Sequence, residues 1–124
     1  MGLLTYSGDG SFKIAKSNTI ALDGDYIMVD TSSNTVTISV SHHVRGSFRV
    51  RDLKGTFATR DCIVSFESIR YPSGTMAGDL DLGGALVGDV VMRQNKDDYT
   101  FGYDNASGLW YAMNNNSSDL PRRV

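Results

Sequence analysis

At 124 residues the chain has the length of one domain, enough to bury roughly two-thirds of its unfolded surface in a single core. Its 12 basic and 14 acidic residues are scattered, with a net charge of −2, so neither nucleic acid nor an anionic membrane surface is an expected partner. No apolar run reaches the ~20 residues of a membrane-spanning helix, and Met1-Gly2-Leu3-Leu4-Thr5 lacks the charged leader and apolar block of a secretory signal, so synthesis in the cytoplasm is expected.

The chain opens with Thr5-Tyr6-Ser7 and Ser11 to Lys16 on either side of Gly8-Asp9-Gly10, a glycine turn between two short strands. Phe12 and Ile14 share one face of the second. Thr19 to Leu22 forms a further short strand. Tyr26, Met28 and Asp30 then alternate with Ile27 and Val29, and beyond Thr31-Ser32-Ser33-Asn34 the residues Val36, Ile38 and Val40 alternate with Thr35, Thr37 and Ser39. This period of two on both sides of a polar turn predicts a β-hairpin. In Ser47 to Asp52, Phe48 and Val50 point one way while Ser47, Arg49 and Arg51 point to water. After a polar connection around Gly55, the run Cys62 to Ile69 reads as a core strand, and Tyr71-Pro72-Ser73-Gly74 as a turn.

Met76 to Gly88 is glycine-rich and reads as a loop or a single helical turn. Val87 to Arg93 returns to strand. Tyr99, Phe101 and Tyr103 alternate with Thr100 and Gly102, and the turn Asp104-Asn105-Ala106-Ser107-Gly108 leads to Leu109 to Met113, a second hairpin carrying Trp110 and Tyr111. Asn114 to Val124 is too polar to offset its own ordering entropy and is expected to be a flexible tail.

The pattern predicts an all-β fold, an antiparallel β-sandwich of short strands and hairpins over residues 1–113, followed by the polar tail 114–124. Val36, Ile38, Phe48, Val50, Val64 and Phe66 are its expected core. The lack of a fixed internal repeat argues against a solenoid or propeller.

Candidate chemistry is sparse. Cys62, the one cysteine, sits among Ile63, Val64 and Phe66 and reads as packing. His42 and His43 are adjacent, and in an extended chain their side chains point to opposite faces, which prevents joint chelation of a metal. Asp79 and Asp81, with Asp23, Asp25, Asp97 and Asp98, lack the spacing of a calcium loop and read as turn residues, so no metal or other cofactor is expected. Glu67 is the one acid in a core-like strand and lies on its wetter face, without a second carboxylate to make a glycosidase pair. Neither a nucleophile elbow nor a phosphate loop occurs, so no catalytic residue is assigned and an enzyme is not expected. Tyr99, Phe101, Tyr103, Trp110 and Tyr111 remain as a group divided between core and protein contact, with a sugar-stacking platform as the alternative.

The strings DGDYIMVDTSSNTVTISV, FRVRDLKG, CIVSF and YTFGYDNASGLWYAM, spread over residues 22–113, resemble the β-rich modules of tailed-bacteriophage virion proteins, such as tail fibres, head fibres and capsid decorations. The resemblance implies a non-enzymatic structural component of a virion, commonly a homotrimer, made in the host cytoplasm and bound to itself and to other virion proteins. It carries over no catalytic residues. The chain lacks the coiled-coil heptads and collagen-like repeats of long fibres, which favours a short structural, adaptor or decoration role. A carbohydrate-binding module using the late aromatics is the alternative function.

Overall fold

The computed structural model describes residues 11–67, 69–70, 76–77 and 79–124, and among these all regular structure is β-strand. Thr5-Tyr6-Ser7, the turn Gly8-Asp9-Gly10 and the turn at 71–74 lie outside the described residues. The first six strands are β1 (Phe12–Ala15), β2 (Thr19–Ile20), β3 (Tyr26–Val29), β4 (Val36–Val40), β5 (Ser47–Asp52) and β6 (Cys62–Phe66). They are followed by the short β7 (Ile69–Arg70) and β8 (Met76–Ala77), then β9 (Leu80–Leu82), β10 (Ala85–Val87) and β11 (Asp89–Met92). The fold closes with β12 (Asp98–Asp104), β13 (Leu109–Asn114) and β14 (Arg122–Arg123).

A seven-stranded sheet in the order β1-β3-β5-β12-β13-β9-β10 packs on a five-stranded sheet in the order β14-β11-β6-β4-β2, while β7 and β8 pair separately. The all-β sandwich expected from the sequence is therefore present, but its sheets are mixed rather than antiparallel. β1, β3 and β5 are mutually parallel, as are β2, β4 and β6. Antiparallel pairing dominates the second half, where β12 lies between β5 and β13.

The predicted hairpin around Thr31 to Asn34 is an arch. Its arms, β3 and β4, belong to opposite sheets, so Ile27 and Val29 meet Val36, Ile38 and Val40 through the core instead of across a hydrogen-bonded ladder. Side chains alternate with period two in either arrangement, and periodicity cannot separate them. Local bonds hold the corner: the Ser32 N–H donates to Asp30 Oδ1 at 2.9 Å, and the Thr31 and Thr56 hydroxyls meet at 2.7 Å. From β1 to β6 every connection crosses between sheets, so this half coils in the manner of a solenoid despite the lack of a repeat. Along the parallel register Phe12 is followed by Tyr26 and then Arg49. Unequal loops between successive turns erase the period that repeat detection needs.

All six expected core residues are buried. Val36, Ile38, Val50 and Val64 are at most 1% exposed, with Phe48 at 2% and Phe66 at 4%. Rings from both sheets meet at the centre: Phe66 on β6 lies 5.6 Å from Phe101 and 5.5 Å from Trp110, and Phe48 stacks on Phe101 at 5.1 Å. Cys62 is buried in this core, which pushes its thiol pKa up and leaves it protonated and inert.

Two further segments differ from their sequence expectation. Within Met76 to Gly88, the residues read as a loop or helical turn include a tight hairpin: β9 and β10 are joined by Gly83 and Gly84, both at positive φ (61° and 99°), as a two-residue loop that follows the sheet twist requires. Asp81 Oδ1 accepts the Gly84 N–H at 2.7 Å. The expected free tail is docked on the domain. Asn114 Oδ1 accepts the N–H groups of Asn116 and Ser117, Asn116 Nδ2 donates to the Lys96 carbonyl at 2.8 Å, Pro121 is buried, and β14 pairs with β11. Side-chain amides supply the bonds that its missing apolar residues do not.

Candidate contact surface

The five late aromatics divide by strand parity. Tyr99, Phe101 and Tyr103 lie on the inner face of β12, and Trp110 lies opposite Tyr103 on β13, so all four point towards the second sheet. Tyr99, Phe101 and Trp110 are buried, at 2%, 0% and 2% exposure. Burial pushes the Tyr99 phenol up to about 12, and its hydroxyl donates to the Asp119 carbonyl at 3.2 Å. These three side chains cannot form a contact surface while the domain is folded. Tyr103 sits half-buried at the rim, its ring edge-on to Trp110 at 5.4 Å, and its hydroxyl accepts a bond from Arg45 at 3.1 Å. Tyr111 points the opposite way and is 41% exposed.

Tyr111 belongs to a different surface, the outer face of the seven-stranded sheet. Alternate positions across the neighbouring strands place Phe12 and Ile14 of β1, Tyr26 and Met28 of β3, Arg49 and Arg51 of β5, Thr100 of β12, and Tyr111 and Met113 of β13 side by side. Phe12 is 62% exposed, Ile14 56% and Met113 60%. In an antiparallel or mixed sheet the solvated face is ordinarily polar, so large apolar side chains on the edge strand β1 and on β13 make this one a candidate interface. Phe12 and Ile14 were visible in the sequence as a pair on one face. Whether that face was core or surface depended on the partner strand.

The centre of this face is ordered by charge. Arg49 makes two bonds to Asp98, Nε to Oδ1 at 2.8 Å and Nη2 to Oδ2 at 2.6 Å, and its guanidinium lies 4.3 Å from the centre of the Tyr26 ring. The Arg49 guanidinium holds the Asp98 carboxyl below its usual range. Arg51 Nη1 donates to the Tyr26 hydroxyl at 3.2 Å.

Of the six carboxylates weighed as metal ligands, Asp23, Asp25, Asp81, Asp97 and Asp98 accept hydrogen bonds from their surroundings. Asp25 accepts the N–H groups of Ser11 and Leu22 and pairs with Lys13 at 2.8 Å; burial pushes its carboxyl up, but these partners outweigh it and the pKa falls. Asp23 accepts the Gly46 N–H at 2.7 Å, and Asp97 that of Gln94 at 3.0 Å. Asp52, not singled out in the sequence, accepts four backbone N–H groups, from Gly55 and Thr56 on Oδ1 and from Phe57 and Lys96 on Oδ2. Among the described residues no three His, Cys, Asp or Glu side chains converge as a metal-binding group.

His42 and His43 do not diverge as an extended chain would require. The Val44 N–H donates to the Ser41 carbonyl at 2.9 Å, closing a turn that brings the two rings to 3.9 Å between centres. His42 Nδ1 lies 2.6 Å from Glu67 Oε1, and the same oxygen accepts the His42 N–H at 3.0 Å. The His42 backbone and ring bonds together lower the Glu67 pKa. This contact ties the β4–β5 connection to the end of β6. No protein-family model matches the chain, and no curated protein matches it.

Proposed function

We propose that the chain is a non-enzymatic structural subunit of a tailed-bacteriophage virion, a tail, fibre or capsid-decoration component that associates with itself and with other virion proteins. The observation that carries the assembly reading is the outer face of the seven-stranded sheet, where Phe12, Ile14 and Met113 are each more than half exposed. Covering such side chains removes apolar area from water, the main favourable term in protein association. The Arg49–Asp98 pair at its centre is already neutralised and hydrogen-bonded, so it can enter an interface without leaving an unpaired charge. The virion assignment and the preference for a trimer rest on the sequence resemblance. No observation favours the sugar-platform alternative, because Tyr99, Phe101 and Trp110 serve the core.

Sedimentation of the purified chain and of the Phe12→Lys/Ile14→Lys double variant tests the association. Both positions are exposed, so the variant should keep the parent circular-dichroism spectrum and sediment as a monomer while the parent sediments as an oligomer. A parent that is monomeric at all accessible concentrations, or a variant that still assembles, refutes this face as the interface. Peptides of the chain in purified phage particles, detected by mass spectrometry, test the virion assignment separately.

A further inference from the structure

The loops after β5 and before β12 enclose a cleft of about 660 Å³ lined by Arg49, Arg51, Asp52, Lys54, Lys96 and Asp98, together with Leu53, Gly55 and Asn116. Four cations thus face two carboxylates in a chain whose net charge is −2. Both carboxylates are occupied. Asp98 is held by Arg49 and also accepts from Asn115 Nδ2 at 2.9 Å, and Asp52 receives its four backbone N–H groups. Among the described residues, Arg51, Lys54 and Lys96 form no ion pair with a carboxylate.

The backbone gives a second, independent observation. Lys96 has φ of 70°, the only non-glycine residue at positive φ among those described. That conformation suits glycine or asparagine and is retained at a cost for lysine, a pattern associated with functional positions. Two contacts impose it: the Lys96 N–H donates to Asp52 Oδ2 at 2.9 Å, and its carbonyl accepts from Asn116 Nδ2 at 2.8 Å. Asp52 also fixes the adjoining loop through the Gly55 and Thr56 N–H groups at 2.9 and 3.1 Å. One buried carboxylate therefore sets both lysine-bearing loops against the same opening.

We infer that this cleft binds an oxyanion, a phosphate or carboxylate group either free in solution or carried on a saccharide, with Arg51, Lys54 and Lys96 as its ligands and Asp52 as the positioning residue. Arg51 offers a planar fork of donors and the lysines compact point charges, the combination that recognises phosphate and carboxylate. The inference goes beyond the assembly role: the cleft shares Arg49, Arg51 and Asp98 with the outer face but not Phe12 or Ile14, so anion binding is measured in the parent and in the Phe12→Lys/Ile14→Lys variant, where loss of assembly leaves the cleft residues intact.

The test is titration of the full-length, isotope-labelled chain with inorganic phosphate, citrate and glucose 6-phosphate, followed by amide chemical shifts and repeated at raised salt. Saturable shifts at Lys54, Gly55 and Lys96 that weaken with salt are expected. Equal affinity for phosphate and glucose 6-phosphate identifies a free anion as the ligand, and a preference for the sugar phosphate identifies a saccharide-borne one. Lys96→Gly should weaken binding about tenfold, the loss of one charge-assisted bond, yet melt no lower than the parent because glycine accepts the positive φ. Lys96→Arg should retain binding. Absence of saturable shifts at these amides, or affinity unchanged in both Lys96→Gly and Lys54→Gln, overturns the inference.

Discussion

Trp110→Ala separates a tryptophan that holds two sheets together from one that waits on the surface for a sugar. The indole is 2% exposed and touches three aromatic rings, Phe48 at 5.4 Å, Phe66 at 5.5 Å and Tyr103 at 5.4 Å. A tryptophan of about 200 Å² at about 25 cal/mol per Å² is worth about 5 kcal/mol on transfer from an extended chain. Residual compactness of the unfolded state lowers this to about 3–4 kcal/mol, within the ~3–5 kcal/mol typical of truncating a buried aromatic to alanine. With a urea dependence of about 2 kcal/mol per M for a domain of this size, the unfolding midpoint should fall by roughly 1.5–2 M. Far-ultraviolet circular dichroism is the required readout for the variant, because Trp110 is the only tryptophan. In the parent, that same uniqueness makes fluorescence a clean check: emission should be blue-shifted and protected from iodide until unfolding. A variant within 1 kcal/mol of the parent, or native emission quenched as readily as free indole, would refute the inter-sheet packing.

Phe66→Ala should cost ~3–5 kcal/mol, since its ring is the five-stranded sheet's contribution to the same cluster; a parent-like melt would mean that β6 is slipped by one residue, which exchanges its faces. Asp97→Asn should stabilise the protein at neutral pH. Burial chiefly, opposed by the Gln94 N–H and reinforced by Asp52, raises the Asp97 pKa above its ordinary 3.8. The folded state therefore binds this proton more tightly than the unfolded chain does, so stability falls as the pH rises above the ordinary 3.8, and the cost of the ionised group is complete once the pH exceeds the folded pKa. The advantage of the variant, measured by denaturant melts across a pH series, should shrink as the pH falls through that pKa and vanish below 3.8; an advantage independent of pH, or a loss at pH 7, would contradict the assignment.

Strand positions and buried faces were legible in the sequence because both are local. Alternation in Val36 to Val40 and Ser47 to Asp52 marks which side chains avoid water whatever the partner strand is, and those residues are the core. The late hairpin was legible for the same reason, since β12 and β13 are joined by a short glycine-bearing turn and pair with each other. Partnership over distance was not. The same period of two serves a hairpin or an arch, and which of them forms at Thr31 to Asn34 is decided by β1 and β5 flanking β3 in one sheet while β2 and β6 flank β4 in the other.

Polarity likewise reported that Asn114 to Val124 could not build a core, but not that Lys96, Tyr99 and β11 would supply its hydrogen-bond partners. Composition showed cations scattered along the chain. Arg51 and Lys54 are near neighbours in the chain, but only folding brings Lys96 to the same opening, through a carboxylate at Asp52 whose four backbone partners lie partly in a distant loop. Local patterns record how each residue meets water, which the sequence by itself determines; sheet membership, the docked C-terminal segment and the cationic cleft are sums over residues far apart in the chain, and the tertiary structure decided them.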